Sequence, residues 1–198
     1  GEDTARHVEA QVVEPASYEP VALARSTDKK PAAAILIDAI AVFVDGPLLA
    51  DADLDHAGYL GGVIAPFRGL AAYRSPTTSG YVLDTVLGVP ATIGKTTADF
   101  YSGPTWRWDR VNALYLDLTR GTLASADELQ VLNGANVLLI QNANGEWECL
   151  QFATATPNGS RSCILTNLLR GQKGTEHAMA NPVPAGARVL LVDGALRQ

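Results

Sequence analysis

The chain has 198 residues, of which 47% are hydrophobic, and it carries a formal net charge of −6 at pH 7. This length suits one large domain or two small ones around an ordinary apolar core. Its 15 Lys and Arg residues are spread among 21 acidic residues, whereas a protein that binds phosphates needs a basic face, so nucleic-acid binding is not expected. No apolar run reaches the ~18 residues of a membrane span.

The first part of the chain predicts an entry segment followed by short strands. Residues 1–30 are polar and proline-containing, and we expect one strand there near residues 7–13. Branched residues in 35–44 predict the first strong strand, which ends at turn residues 45–47. Further short strands bounded by Gly, Pro or Ser are predicted at 59–64, 70–74 and 81–86.

Alternation of apolar and polar residues predicts more strands in the second part of the chain. The alternation is clearest in 111–118, where Leu114, Leu116 and Leu118 share one face. Residues 125–128, Ser-Ala-Asp-Glu, form a capping-box pattern that predicts a short helix over 126–132. The remaining predicted strands are 135–141, 146–153, 161–168 and 188–193.

About nine or ten short strands that follow one another with turns between them are typical of sandwiches and barrels. The sequence offers no long helix of the kind that connects parallel strands. We therefore predict an all-β fold of one or two antiparallel β-sandwich or barrel-like units, with a short helix near 126–132. A change in composition near Thr119 divides the chain into an entry segment (1–30), a first β subdomain (31–118) and a second (119–198). Whether the subdomains share one core is left open. Since the chain starts with Gly1 and its only methionine is Met179, we expect a piece of a longer protein.

The two cysteines flank a predicted hairpin turn. If Asn158 and Gly159 form a two-residue turn, Pro157 faces Ser160 and Cys149 faces Leu168. Cys163 then lies several residues from the position opposite Cys149, which at about 3.3 Å per residue is beyond the reach of a disulfide. We predict two free thiols.

Two segments partly match ligand-binding motifs. Residues 88–96 resemble a phosphate-binding loop, but five residues separate Gly88 from Gly94 and the next residues are too few for the required helix, so a turn or strand edge is predicted. Asp51, Asp53 and Asp55 have the spacing of a calcium loop, yet the later glycine and glutamate are missing, which favours a solvated acidic turn.

Catalytic and metal signatures are weak. His7, His56 and His177 show no ligand spacing, and no Gly-x-Ser-x-Gly elbow is present. Glu176 and His177 could supply an acid and a base, but their place after a Gly-rich turn favours a solvated pair. We predict no catalytic residue, no metal site and no cofactor.

The segment Trp106-Arg107-Trp108-Asp109-Arg110 is the candidate binding site. Trp and Arg are enriched at binding hot spots, and an exposed Trp can stack on sugars. Three interpretations stay open: core packing with a surface ion pair, a protein interface that uses Trp106, Arg107 and Trp108, or a sugar site.

Several blocks together resemble a known family. They are 109–141, Gly145-Glu-Trp-Glu148, Leu150-Gln-Phe-Ala153, Leu168-Leu-Arg-Gly-Gln-Lys-Gly-Thr-Glu176 and 184–194, with support from 46–59 and 70–75. They look like the C-terminal part of the host-specificity, or baseplate hub, protein of gene transfer agents and related siphophage tails. The block 168–176 is the most specific part, and the resemblance covers about residues 35–196.

The resemblance implies a long, usually trimeric protein at the tail tip of a phage-like virion that is assembled in the bacterial cytoplasm. Its implied partners are other tail or baseplate proteins and a glycan or receptor of the host envelope. Full-length members also carry a glycoside-hydrolase-like barrel that this chain lacks, so no wall-degrading activity is expected here.

The block around Arg170 also has a physical interpretation. Gly171 and Gly174 permit positive φ in a tight turn, and Arg170 can fork onto a carboxylate or onto unpaired carbonyls. The simple role is a structural clamp at the end of a strand, and receptor contact is the alternative. The predicted function is a structural, non-enzymatic tail-tip module. The alternatives are a carbohydrate-binding module and an accessory domain of a wall-degrading enzyme.

Overall fold

Ten short strands dominate the computed structural model, which describes residues 37–55 and 57–198. The predicted entry segment and its strand near 7–13 lie outside the described residues. The strands are β1 (Ile37–Val44), β2 (Tyr59–Ala65), β3 (Leu70–Arg74), β4 (Val82–Leu87), β5 (Ile93–Thr96), β6 (Leu114–Arg120), β7 (Val137–Gln141), β8 (Trp147–Pro157), β9 (Ser162–Gln172) and β10 (Arg188–Leu191). The predicted all-β class is confirmed.

Six of the strands close into a barrel in the order β10-β5-β6-β9-β8-β7, and every pairing in it is antiparallel. The other four form two hairpins, β1–β2 and β3–β4. Closure leaves the barrel without a free sheet edge, which removes a common route to aggregation. The barrel uses strands from both sides of Thr119, the residue at which we divided the chain, and that residue lies inside β6.

Strict alternation along the barrel strands builds two cores. On β7, Leu138 and Ile140 join an inner cluster, while Leu139 between them joins an outer one. The inner cluster draws Leu, Ile, Phe and Val side chains from five barrel strands. The outer cluster lies under the β1–β2 hairpin and includes Val42 and Val63. Neighbouring residues of a strand point to opposite faces, so β7, β8 and β10 each supply both cores.

The predicted short helix is present as α1 (Glu128–Leu132), but its cap differs from the predicted one. Asp127 is the N-cap: its carboxylate accepts from the Gln130 amide at 2.8 Å, and the Gln130 side chain accepts from the Asp127 amide at 3.0 Å. We predicted Ser125 and Glu128 in these roles. Ser125 instead binds the backbone of Ala155 across to β8, and this tertiary contact moves the start of the helix two residues along.

The register predicted for the β8–β9 hairpin is wrong by three residues. Pro157 pairs with Cys163, and Asn158 donates to the Ser162 carbonyl at 2.9 Å, so the turn is longer than two residues. Cys149 lies opposite Gln172. Both thiols are nevertheless free, as predicted. They are also buried, and they cannot pair because the cysteines lie in different core clusters.

No helix in the described part of the chain has the length and apolar character that crossing a bilayer requires.

Candidate functional site

The candidate site is the loop of residues 97–113, which joins β5 to β6. Three backbone contacts hold it along its length. Phe100 pairs with Val183 through hydrogen bonds of 2.8 and 2.7 Å, Thr105 bridges to Arg170, and Asp109 exchanges hydrogen bonds of 2.7 and 2.9 Å with Leu168. Thr105 and Asp109 therefore fix the loop against β9, and Phe100 fixes it against the segment between β9 and β10.

A buried ion pair lies beneath this loop. Arg170 on β9 and Glu148 on β8 have no solvent-exposed surface. The Arg170 Nε donates to Glu148 Oε1 at 2.6 Å, and Nη2 donates to Oε2 at 2.9 Å. A planar guanidinium and a planar carboxylate match in this two-pronged geometry, which gives both strength and orientation. The pair clamps the two longest strands of the barrel to each other.

The rest of the Arg170 guanidinium binds the loop. Its Nη1 donates to the Tyr101 carbonyl at 2.9 Å, and its carbon lies 3.9 Å from the centre of the Phe100 ring. A buried cation is tolerated only when its donors are satisfied. Here the loop supplies a carbonyl and an aromatic face, so the clamp is complete only when the loop is in place. We call this group, Arg170, Glu148, Tyr101, Phe100 and Asp109, the Arg170 clamp.

Asp109 connects the clamp to the outer part of the loop. Its Oδ2 lies 4.0 Å from Arg170 Nη1 and accepts from the Asn112 side chain at 2.7 Å. Its Oδ1 accepts from the amides of Val111 and Asn112 at 3.1 and 3.0 Å. Burial tends to raise the pKa of Asp109, but the hydrogen bonds from Asn112 and Val111 and the charge of Arg170 outweigh it and leave this pKa below its ordinary value. The carboxylate therefore stays charged and fixes residues 109–112.

Gly103 leaves room for this carboxylate. A Cβ at position 103 would lie 3.0 Å from the Asp109 Cγ and closer still to Oδ2. Any other residue at this position would push the loop off the clamp.

The loop carries two almost fully exposed apolar side chains. Trp106 is 89% exposed and Val111 is 92% exposed, and Arg107 between them is also exposed. Trp106 has a φ of 66°, a left-handed conformation that is uncommon for a bulky residue and costs about 1–2 kcal/mol. The clamp thus holds a large indole in solvent instead of letting it fold back onto the barrel.

Trp108 is placed differently from Trp106. It is half-buried against the small core under α1, which contains Val131 and Leu169. The Arg110 guanidinium lies 5.8 Å from the centre of its ring and donates to Glu128 at 2.7 Å. The loop therefore packs against α1. Trp108 contributes to this packing, whereas Trp106 does not. Residues 102–104 and 107–112 line a shallow cleft of about 340 Å³.

Of the two glycines singled out in the sequence, Gly171 lies near the end of β9 and Gly174 lies in the turn that follows. Gly171 and Gly174 have φ values of 56° and 77°. A Cβ on Gly171 would lie 2.9 Å from the Glu176 Cγ, and the Gly171 amide donates to Glu148 Oε1 at 3.2 Å. This glycine therefore brings the backbone up to the clamp. Arg170 is buried beneath the loop, whereas Trp106 on the loop is exposed.

The partners of Arg170 were not predicted. Glu148 lies two residues before Leu150, on the inner face of an apolar strand, and an acidic residue in that position is a signal for a buried partner. Tyr101 contributes only its backbone carbonyl, which no sequence pattern indicates.

The segments that partly match a phosphate-binding loop and a calcium loop both form part of the fold. Gly94, Lys95 and Thr96 lie in β5, and Thr96 Oγ1 donates to the Pro184 carbonyl at 2.9 Å. This segment is a barrel strand paired on both sides, so the predicted turn or strand edge was wrong for residues 93–96. Asp53 accepts from the Leu49 amide and the Tyr59 hydroxyl at 3.0 and 2.7 Å.

Among the described residues, neither His177 nor the Asp51–Asp55 segment belongs to a group of side chains that could bind a metal ion. His177 is exposed and its Nδ1 lies 3.2 Å from the Gly174 carbonyl, while His7 and His56 fall outside the described residues. Within residues 37–55 and 57–198, no three His, Cys, Asp or Glu side chains come together as metal ligands would.

Comparison with curated proteins finds no match for this chain. A family model described as Rcc01698-like, C-terminal matches residues 91–190. The matched segment runs from the residue pair before β5 into β10 and contains the 97–113 loop and the whole Arg170 clamp. Because the match covers half of the sequence, the chain belongs to the Rcc01698-like, C-terminal family.

Proposed function

We propose that this chain is a structural, non-catalytic β module at the tail tip of a phage-like particle, where it helps to assemble the distal tail and engage the host envelope. The implied partners are other tail or baseplate proteins, with a homotrimer in the full-length protein and a glycan or receptor on the host. The resemblance of residues 168–176 to the baseplate hub proteins of gene transfer agents supports this assignment, and that block contains Arg170 and its two turn glycines.

The observation that carries the proposal is the exposure of Trp106 and Val111 on a loop that a buried ion pair holds rigid. Exposed Trp side chains are frequent anchors of protein interfaces. A loop that is already ordered loses little entropy when it binds. The Arg170 clamp therefore prepares a protein-binding surface before any partner arrives.

The two carboxylates of lowered pKa support a structural role. An enzyme directs groups of altered pKa into a cleft. Asp109, whose pKa is lowered, lines the shallow cleft of the loop, but its two oxygens accept hydrogen bonds from its own loop and one of them lies 4.0 Å from Arg170. Asp53, whose pKa is lowered chiefly by the Tyr59 hydrogen bond, caps its own turn. Every buried polar side-chain atom of the described residues has a hydrogen-bond partner, so these groups are used in holding the fold.

The alternative of a glycan-binding module depends on Trp106 and Trp108. Sugar sites commonly offer an aromatic platform with polar groups around it. Trp108 packs against α1 and its ring lies beside Arg110, so the two indoles do not form one platform. Val111, which is as exposed as Trp106, adds apolar surface that suits a protein pocket better than a sugar.

The location of the chain tests the proposal. Particles purified from cells that encode it would be analysed by mass spectrometry and labelled with gold-coupled antibodies against the purified chain. We expect the chain in the particles and gold at one end of the tail. Particles that lack the chain would overturn the proposal.

Two variants test the role of the loop. Trp106→Ala and Val111→Ala should each lower incorporation into particles, whereas Val89→Ala, which truncates an exposed valine elsewhere, should not. In parallel, Trp fluorescence would be followed during titration with envelope polysaccharide. A saturable change that Trp106→Ala abolishes, with no gold at the tail, would move the assignment to glycan binding.

A further inference from the structure

The sequence contains three Asn-Gly pairs, and each lies in an exposed turn. They are Asn133-Gly134 after α1, Asn144-Gly145 between β7 and β8, and Asn158-Gly159 between β8 and β9. The side-chain amide of an asparagine can be attacked by the backbone nitrogen of the next residue. Glycine favours this attack because it has no side chain to obstruct it. All three pairs therefore have the sequence that favours deamidation, the loss of the asparagine amide.

The glycine nitrogens of the first two pairs are held by hydrogen bonds. The Gly134 amide donates to the Val131 carbonyl at 2.9 Å, and the Gly145 amide donates to the Asn142 carbonyl at 3.1 Å. The attack requires that the glycine nitrogen lose its proton. An amide proton that is held by a carbonyl is protected until the turn opens. The fold therefore opposes deamidation at Asn133 and Asn144.

The third pair lacks this protection. Within residues 37–55 and 57–198, no acceptor binds the Gly159 amide, and the Asn158 side chain makes no hydrogen bond either. A different bond closes the turn, from the Asn158 amide to the Ser162 carbonyl at 2.9 Å. Both Asn158 and Gly159 are exposed. The nitrogen that attacks and the amide that is attacked are therefore both open to solvent and free of hydrogen bonds to the described residues.

We propose that Asn158 is the site at which the folded protein deamidates. The Gly159 nitrogen gives up its proton and bonds to the side-chain carbonyl carbon of Asn158, and the bond from that carbon to the side-chain nitrogen breaks and releases ammonia. One water molecule then opens the cyclic imide at either of its two carbonyls. One opening gives aspartate, and the other gives isoaspartate, in which the main chain runs through the former side chain. The net reaction is hydrolysis of an amide, so it needs no oxidant or reductant.

The product places a new carboxylate on the β8–β9 turn. It adds one negative charge to a chain whose net charge is −6. Arg161 lies on the same turn, is exposed, and has no ion-pair partner among the described residues. This cation partly offsets the added charge. Because residues 158–161 lie outside both strands, the barrel pairing is kept while the charge of the chain comes to depend on its age and on pH.

Peptide mapping tests this site, and the result does not depend on the tail-tip assignment. The full 198-residue chain would be incubated at mildly alkaline pH, digested at intervals and analysed by mass spectrometry, which detects the exchange of an amide NH₂ for OH. We expect Asn158 to react about fivefold faster or more than Asn133 or Asn144, the factor that one hydrogen bond of ordinary strength corresponds to. The rate should rise with pH, because the attacking nitrogen must lose a proton.

The same measurement in denaturant separates the effect of the fold from that of the sequence. All three sites have glycine after asparagine, so in the unfolded chain they should react at similar rates. The preference for Asn158 should appear only in the native chain. A native preference no greater than the one in denaturant, or a faster native reaction at Asn133 or Asn144, would overturn the proposal.

Two variants and hydrogen exchange give independent readouts. Asn158→Gln should remove most of the ammonia that the native chain releases, because the longer glutamine side chain must close a larger ring. Asn144→Gln is the matched control: it changes an exposed asparagine of another Asn-Gly pair and should leave the ammonia release unchanged. The Gly159 amide should exchange its hydrogen faster than the amides of Gly134 and Gly145. Equal ammonia release from the two variants, or slow exchange at Gly159, would contradict the assignment.

Discussion

Arg170 and Glu148 lie on neighbouring barrel strands, fully buried, and join through hydrogen bonds of 2.6 and 2.9 Å. This pair links the barrel to the loop that carries Trp106, because the same guanidinium binds the Tyr101 carbonyl. Removal of one partner leaves a buried charge uncompensated, so Arg170→Met should lower the free energy of unfolding by about 3–5 kcal/mol. Urea unfolding followed by circular dichroism measures the change.

The double variant Arg170→Met, Glu148→Leu is the control for this prediction. It removes both charges and should recover a large part of the loss. If the two single changes simply add in the double variant, the residues do not act as a pair.

The clamp also predicts a pH dependence. The folded-state pKa of Asp109 is lowered from its ordinary value, so between the two values the unfolded chain binds more protons than the folded one. The contribution of Asp109 is therefore present above about pH 4 and is lost as pH falls through the lower, folded-state pKa. Asp109→Asn should flatten the acid side of a stability-versus-pH curve. An unchanged acid limb would contradict the assignment.

Substitutions at Trp106 measure the free-energy cost of its positive φ. Trp106→Gly and Trp106→Ala both remove the indole, but only glycine adopts a φ of 66° without a steric penalty. We expect the glycine variant to be the more stable of the two by about 0.5–1 kcal/mol, after the greater entropy of unfolded glycine is counted. Equal urea midpoints for the two variants would argue against strain at this residue.

The turn glycines form a graded series. Gly171→Ala combines a positive φ with a close approach to Glu176, whereas Gly174→Ala has a positive φ and open space around it. The loss of stability should be about 1 kcal/mol for Gly174→Ala and larger for Gly171→Ala. Gly88→Ala, at an open position that carries no positive φ, should cost little. Thermal melting ranks the three, and a reversed order for Gly171 and Gly174 would contradict the geometry.

The reactivity of the two thiols tests how deeply Cys149 on β8 and Cys163 on β9 are buried. Burial raises the pKa of Cys149 to about 12 and raises that of Cys163 as well, so the reactive thiolate is scarce near neutral pH. Ellman's reagent should titrate two thiols in denaturant and react slowly with the native chain. Cys163, the slightly more exposed of the two, should react first. Fast native reaction of Cys149 would contradict the packing described for β8.

Local patterns in the sequence determined most of the strands. Alternation at Leu114, Leu116 and Leu118 indicated β6, and branched residues and flanking turns indicated β1 to β4. β5 was not predicted as a full strand because its four residues include Gly94 and Lys95, which carry little strand signal. The predicted start of α1 was wrong because Ser125 binds Ala155 on β8. A contact between residues 30 positions apart is not visible in the local sequence pattern.

The sequence by itself therefore determined the all-β class and the short helix, because strand alternation and helix-start patterns depend on neighbouring residues. Only the tertiary structure decided that Arg170 binds Glu148, 22 residues before it, and that Trp106 lies in solvent while Trp108 packs. It also decided that Ala71, Tyr73, Leu83 and Val86 lie exposed on one face of the β3–β4 hairpin, since the register shift between Ala72 and Tyr73 sets which side each residue takes. Ion-pair partners, strand register and side-chain exposure depend on contacts between segments that are distant in the sequence. Short-range sequence patterns do not encode those contacts.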